Sequence, residues 1–217
     1  MDGAVVIGLS RMVKIVEIDA ENRIAVVQPG VVNAHLSEAI AHMGLFYAPD
    51  PSSQQACTIG GNVAENSGGP HTLKYGTTTN HVLSVEMVLP DASVVRLGSA
   101  AGFAPGYDLV GAVVGSEGTL GIVTEVTVRL VEIPEAVETM LAIFDDVSDA
   151  CRLVGGIIRS GMVPAALEVV DRRTIRAVEA SVYAAGLPTD AGAVLIIELD
   201  GAACEMQGLT DRIRELA

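Results

Sequence analysis

Residues 50–76 read DPSSQQACTIGGNVAENSGGPHTLKYG, with glycine pairs at Gly60-Gly61 and Gly68-Gly69, a further Gly76, and no clean helical or strand period. A compact domain rarely carries so long an irregular stretch unless the stretch has a task. Glycine lets the backbone approach a ligand and turn with positive φ. Successive N–H groups then form a nest around an anion. Thr58, Asn62, Asn66, Ser67 and Thr77 add short side-chain hydrogen bonds. This set suits a diphosphate and does not require Lys or Arg. The competing reading is a surface loop with ordinary turn glycines. Two familiar phosphate motifs are excluded. No GxGxxG follows a first strand with an acidic residue about 20 positions on, and no GKS or GKT occurs.

On either side of this stretch the pattern is regular. Residues 5–9, 15–19 and 23–28 read as strands, and 33–42 as a helix with Leu36, Ile40 and Met43 at helical spacing, closed by Gly44. One short helical turn is expected at 62–66. Residues 82–89 and 93–97 form a hairpin around Pro90-Asp91, 107–114 a short helix, 115–118 a loop, and 122–130 a β-branched strand. Pro134 marks the expected domain boundary, giving domains 1–133 and 134–217. Beyond it strands at 137–144, 165–169 and 194–199 alternate with helices at 147–160, 171–183 and 205–216, an α+β pattern.

Charge and cysteines narrow the functions. The 217 residues carry 13 basic and 27 acidic side chains, a formal net charge of -14. A nucleic-acid groove needs the opposite balance, so nucleic acid is excluded as a partner. Cys57, Cys151 and Cys204 are widely spaced, with no CxxC, and read as small hydrophobes in a reducing compartment. No apolar run reaches the length of a membrane span, and no basic leader precedes the first apolar residues. A cytoplasmic location is the expectation.

Three blocks together are similar to a known family. PDPSSQQACTIGGNVAENSGGPHTLKYGTTTNHVLSVEMVLPD, GSEGTLGIVTEVTVRL at 115–130 and PAALEVVD at 164–171 resemble the FAD-linked oxidases of the vanillyl-alcohol oxidase and p-cresol methylhydroxylase type. Within that family the resemblance is to glycolate oxidase FAD-binding subunits and D-lactate or D-2-hydroxyglutarate dehydrogenases. It implies an α+β fold: the second subdomain of such an FAD-binding domain, followed by part of a ferredoxin-like substrate (cap) domain. It implies FAD as cofactor. Pro51 and Ser53 would lie by the flavin. Thr58, Gly60, Gly61 and Asn62 would receive the diphosphate and ribityl chain. Asn66, Gly68 and Gly69 would continue that wall, and Gly76, after Tyr75, would close the turn. Glu117, Gly121, Ile122 and Val123 would approach the adenine and ribose. His71 would be a loop residue, not a covalent flavin link.

The resemblance also implies a first FAD subdomain ahead of residue 5, and HxxGDGNxH-like and GEHG-like stretches further on that carry metal ligands and an active-site His. None of these is in the sequence, so the expectation is a fragment with no catalytic or metal-ligating residue of its own, weak FAD binding and a tendency to self-associate. The implied activity is FAD-dependent oxidation of a 2-hydroxy acid. Its partners would be other oxidase subunits or an electron-acceptor protein. A non-catalytic FAD module, and another branch of the flavin fold such as an alkyl-glycerone-phosphate synthase or sugar oxidase, are the alternatives. His35 and His42 are seven apart and make no zinc pair. His81 reads as structural, and Asp145-Asp146 as solvated or capping the next helix. Arg172, Arg173 and Arg176 read as a solvated face, with attraction of a carboxylate substrate as the alternative.

Overall fold

The computed structural model describes residue 3, residues 5–103 and residues 105–217. They form two compact units, one of Met1–Gly69 with Tyr75–Ile133 and one of Pro70–Lys74 with Pro134–Ala217.

The first unit is built on a five-stranded sheet of order β1-β2-β6-β4-β5. Strands β1 (Ile15–Asp19) and β2 (Ile24–Val27) form a hairpin. The Asp19 carboxylate accepts from the Asn22 amide at 2.9 Å and from its side chain at 2.7 Å, which tightens the turn. Helix α1 (Asn33–Ile40) follows and ends in a 3₁₀ turn, Ala41–Met43, where Gly44 takes a left-handed conformation at φ 73°. Leu36 and Ile40 on its inner face are fully buried. Its first amides are satisfied by neighbouring loop carbonyls, Asn33 N to Cys57 O and Ala34 N to Gln54 O, both at 3.0 Å. The short strand β3 (Leu45–Phe46) comes next and later pairs with β7 (Val131–Glu132).

Helices α2 (Ile59–Glu65) and α3 (Thr72–Tyr75) lie inside the stretch expected to be irregular. Strands β4 (Val82–Val88) and β5 (Val94–Gly98) make the expected hairpin, followed by α4 (Leu109–Val113) and β6 (Ile122–Arg129). Ala25, Val27, Val85, Met87, Val126 and Val128 from the sheet meet Ile59 and Val63 of α2 in one core. With aromatics at 3%, branched aliphatic side chains fill it.

The second unit is a three-stranded antiparallel sheet of order β8-β10-β9, from β8 (Ala136–Phe144), β9 (Ala166–Asp171) and β10 (Ala193–Gly201). Helices α5 (Val147–Arg159) and α7 (Met206–Leu216) bury Leu153, Ile157 and Ile213 against Leu195, Ile197 and Leu199. Helix α6 (Arg172–Glu179) packs Ile175 against Val194. Asp146 caps α5 by accepting from Ser148 N at 2.7 Å, and Asp171 caps α6 by accepting from Thr174 N at 2.8 Å. Those hydrogen bonds hold both carboxyls below their ordinary range.

Three expectations are corrected. Residues 5–9 form no strand: Val5, Val6 and Ile7 are exposed and pair with no strand among the described residues. The helical turn expected at 62–66 begins at Ile59, so Gly60 and Gly61 sit in a helix and not in a positive-φ nest. Cys151 and Cys204 are exposed, not core hydrophobes. No described helix is long and apolar enough to cross a membrane.

Candidate functional site

The loop after β2 and the start of α2 run side by side. Ile59 N donates to Val31 O and Gly60 N to Pro29 O, both at 2.8 Å, and Val32 bridges Thr58. Thr58 is the N-cap of α2, its hydroxyl accepting from Gly61 N at 3.2 Å, while Asn62 N donates to Thr58 O at 2.9 Å. The opening amides of α2, normally free for an anion, are therefore engaged inside the protein. The two glycines differ in purpose. A Cβ on Gly60 would stand 2.5 Å from Pro29 Cβ and 2.9 Å from Pro29 O, whereas one on Gly61 would meet only Thr58 Oγ1 at 3.5 Å. Gly60 is thus required by close backbone packing.

Downstream, Asn62 is 1% exposed and its buried Nδ2 has no partner. Asn66 ends α2 in a left-handed conformation at φ 52°, and its side chain accepts from Thr79 N at 2.9 Å. Ser67 O accepts from Thr78 N at 2.9 Å and from Thr78 Oγ1 at 2.7 Å. Gly68 is half-buried, and Gly69 lies so close to Asp50 that no Cβ fits. Gly76 turns at φ 83° against Asn80, which forms a capping box with Thr77. Pro51 O accepts from Gln54 N at 2.8 Å, and Ser53 O from Ala56 N at 2.7 Å and Cys57 N at 2.8 Å, so both shape a local turn.

The second glycine block is fastened to the same helix. Gly115 N donates to Val63 O at 2.8 Å and Glu117 N to Ala64 O at 2.9 Å. Glu117 is left-handed at φ 52° and Gly118 at φ 72°. Gly121, at φ 157°, would bring a Cβ to 2.5 Å from Met87 Cε and 2.7 Å from Val88 O. Between α2, this loop and the start of β6 lies a cleft of about 500 Å³. Gly60, Val63, Ala64, Val113, Glu117, Gly121, Ile122 and Val123 line it, with Pro29, Ser116 and Gly118, and with Val5, Ile7 and Leu9. That volume lies within the range of small-molecule sites.

Five of the residues singled out from sequence, Gly60, Glu117, Gly121, Ile122 and Val123, thus share one cleft. Pro51, Ser53, Thr58, Gly61, Asn62, Asn66, Gly68, Gly69 and Gly76 are not among its lining residues. Sequence reading missed Pro29, Val63, Ala64 and Val113. The signal was the PG pair at 29–30, read only as a turn. The cleft is lined mainly by aliphatic side chains and glycines and carries one carboxylate, Glu117. Such a lining accommodates a heterocycle with hydroxyl groups and repels a diphosphate.

The histidines lie elsewhere. His81 is 4% exposed, its Nε2 2.8 Å from Tyr75 O, with its ring edge-on to the buried Tyr47. Burial pushes its pKa below the ordinary value, so it stays neutral. In the second unit His71 Nε2 lies 2.7 Å from Glu198 Oε1, and Lys74 pairs with Asp200. Arg172 donates from Nε to Ala191 O at 2.8 Å and Arg176 to Thr189 O at 3.3 Å, so two of the three arginines hold a loop instead of facing only solvent. No cluster of three or more His, Cys, Asp or Glu among the described residues forms a metal site.

Residues 1–98 match the FAD binding domain family, and residues 133–213 match the C-terminal domain of FAD linked oxidases. The chain belongs to the FAD-linked oxidase family. Its relatives include the glycolate oxidase subunit GlcD of Escherichia coli (strain K12), 45% identical over 216 residues that cover 100% of this chain and 43% of the relative. The subunit GlcD of Bacillus subtilis (strain 168) is 48% identical, covering 92% of this chain and 43% of the relative. A D-lactate dehydrogenase of Archaeoglobus fulgidus is 39% identical, covering 79% and 38%. The chain therefore spans less than half the length of these relatives. The structure of an alkyldihydroxyacetonephosphate synthase superimposes with a TM-score of 0.79 at 24% identity, covering 95% of this chain and 40% of that one, which shows the shared α+β fold. FAD is the cofactor of an FAD-linked oxidase. The cleft residues fit part of it: the small Ala64 leaves room along α2, and the aliphatic lining suits an apolar ring.

Proposed function

We propose that this chain holds FAD for the oxidation of a 2-hydroxy acid of glycolate or D-lactate type. The reading rests on the cleft beside α2, in which both glycine blocks meet. It is supported by relatives named as glycolate oxidase subunits and D-lactate dehydrogenases. When bound, the flavin supplies a hydride acceptor at N5 and passes the electrons to a separate acceptor. The chain's own residues bind and orient. Ile122, Val123 and Gly121 take the adenine side, with Glu117 toward the ribose hydroxyls. Gly60, Gly61 and Asn62, whose amides are engaged inside the protein, and Thr58, whose hydroxyl accepts from Gly61 N, shape the backbone on the diphosphate and ribityl side. Asn66, Gly68, Gly69 and Gly76 continue that wall, and Pro51 and Ser53 lie toward the flavin. The partners are the 2-hydroxy acid and other oxidase subunits or an electron-acceptor protein.

A second reading is an FAD-binding module without turnover, which the same cleft serves equally well. Anaerobic addition of glycolate or D-lactate to the FAD-loaded protein separates the two. Bleaching of the flavin absorbance is expected from the first reading. Bound flavin that stays oxidised with either acid assigns the second.

A further inference from the structure

We infer that His71 and Lys74 are positioning residues that fix the flavin side of the glycine wall by clamping α3 onto two carboxylates of β10. The inference rests on the FAD reading above and deepens it. Residues Pro70–Lys74 interrupt the glycine-rich stretch, yet they belong to the second unit, while Gly69 and Tyr75 on either side belong to the first. Glu198 and Asp200 are two apart on β10, so they share one face about 7 Å apart. Lys74 N donates to His71 O at 3.2 Å, and that turn brings the two side chains onto one side at about 5–6 Å. The spacings match, and both pairs form. His71 Nε2 lies 2.7 Å from Glu198 Oε1, while Lys74 pairs with the Asp200 carboxylate and donates to Asp200 O at 2.9 Å. The Asp200 side chain is 5% exposed. A carboxylate so buried depends on its cation, because an unpaired buried charge is far costlier than the pair.

The clamped segment joins the proposed cofactor wall at both ends, through packing inside the first unit. Gly69 lies so close to Asp50, the residue before Pro51, that no Cβ fits. Gly76 turns at φ 83° against the Asn80 side chain, which accepts from Thr77 N at 2.9 Å. Neither glycine has room to slide. Displacement of α3 from β10 is therefore transmitted to Gly68, Gly69 and Gly76 and to the turn at Pro51 and Ser53. The cleft beside α2 is built differently: none of its lining residues lies between 66 and 80. The clamp therefore sets the affinity for the flavin half of the dinucleotide and leaves the adenine half alone.

The test compares two nucleotides on the purified chain. FAD binding is read by flavin fluorescence and AMP binding by calorimetry, for wild type, His71→Gln, Lys74→Met, Asp200→Asn and Lys74→Arg. Lys74→Met and Asp200→Asn are each expected to weaken FAD by about fivefold or more, and His71→Gln, at the more exposed pair, by about twofold. All three should leave AMP binding unchanged. Lys74→Arg keeps the cation and should retain wild-type FAD affinity. Circular dichroism reports folding, and His71→Gln carries the test if loss of the buried pair unfolds the second unit. Unchanged FAD affinity in the folded variants, equal losses of FAD and AMP, or Lys74→Arg no better than Lys74→Met overturns the clamp. A wild type that binds FAD no more tightly than AMP gives the flavin half no grip and overturns the clamp alone. A wild type that binds neither nucleotide overturns the FAD reading, and the clamp with it.

Discussion

A Cβ at Gly60 has nowhere to go: Pro29 Cβ and Pro29 O stand 2.5 and 2.9 Å from it. At the adjacent Gly61 the nearest neighbour is Thr58 Oγ1 at 3.5 Å. Gly60→Ala is therefore expected to destabilise the chain by about 1–3 kcal/mol through overpacking. Gly61→Ala should be neutral or slightly stabilising, since it improves helix propensity without a clash. Urea unfolding of the two variants checks this, and equal effects would show that the difference in packing does not matter. The glycine-rich stretch was legible in the sequence as a place where backbone comes close to something. What it comes close to was not. Glycine signals small size and conformational freedom alike, and only the fold shows that Gly60 uses the first while Gly76 and Gly121 use both.

Among the elements, β-branched runs and helical spacing placed β4, β5, β6, β8, β10, α1 and α5 within a few residues. Two stretches escaped. The segment TIGG ahead of the turn expected at 62–66 reads as loop because glycine disfavours helix, yet the Thr58 cap and the pairing with residues 29–31 start α2 at Ile59. Val5, Val6 and Ile7 read as a strand, but a strand needs a hydrogen-bonded neighbour and the sequence does not show whether one is there. Of the two caps, only that of α5 was partly visible, in Asp145-Asp146, which read as solvated or capping. Both caps set a pH dependence. Asp146 and Asp171 are held below the ordinary carboxyl value of 3.8 in the folded chain. The unfolded chain therefore binds protons first as pH falls. Their contribution is full above that value and is lost as pH drops through the folded pKa of each. An Asp146→Ala, Asp171→Ala double variant should melt a few degrees lower at pH 7. It should also lose less further stability than wild type below pH 4, as read by calorimetry. Parallel melting curves at both pH values would refute the assignment of both caps.

At the scale of the whole molecule, the acidic composition argues against a nucleic-acid groove, and three sequence blocks point to the flavin family. The cleft itself was not legible, because it is assembled from Pro29, Ala64 and Val113 as much as from the two glycine blocks. Its aliphatic walls and Glu117 carry the claim that the chain grips FAD by its adenine end. The direct measurement is a fluorescence titration of FAD into the chain, with AMP and FMN as competitors, repeated on Ala64→Phe. Ala64 lines the cleft without being fully buried, so the ring fills the site and leaves the core intact. AMP should displace FAD, FMN should not, and Ala64→Phe should weaken FAD binding at least tenfold. FMN competing as well as AMP, or an Ala64→Phe chain that binds FAD unchanged, would contradict it.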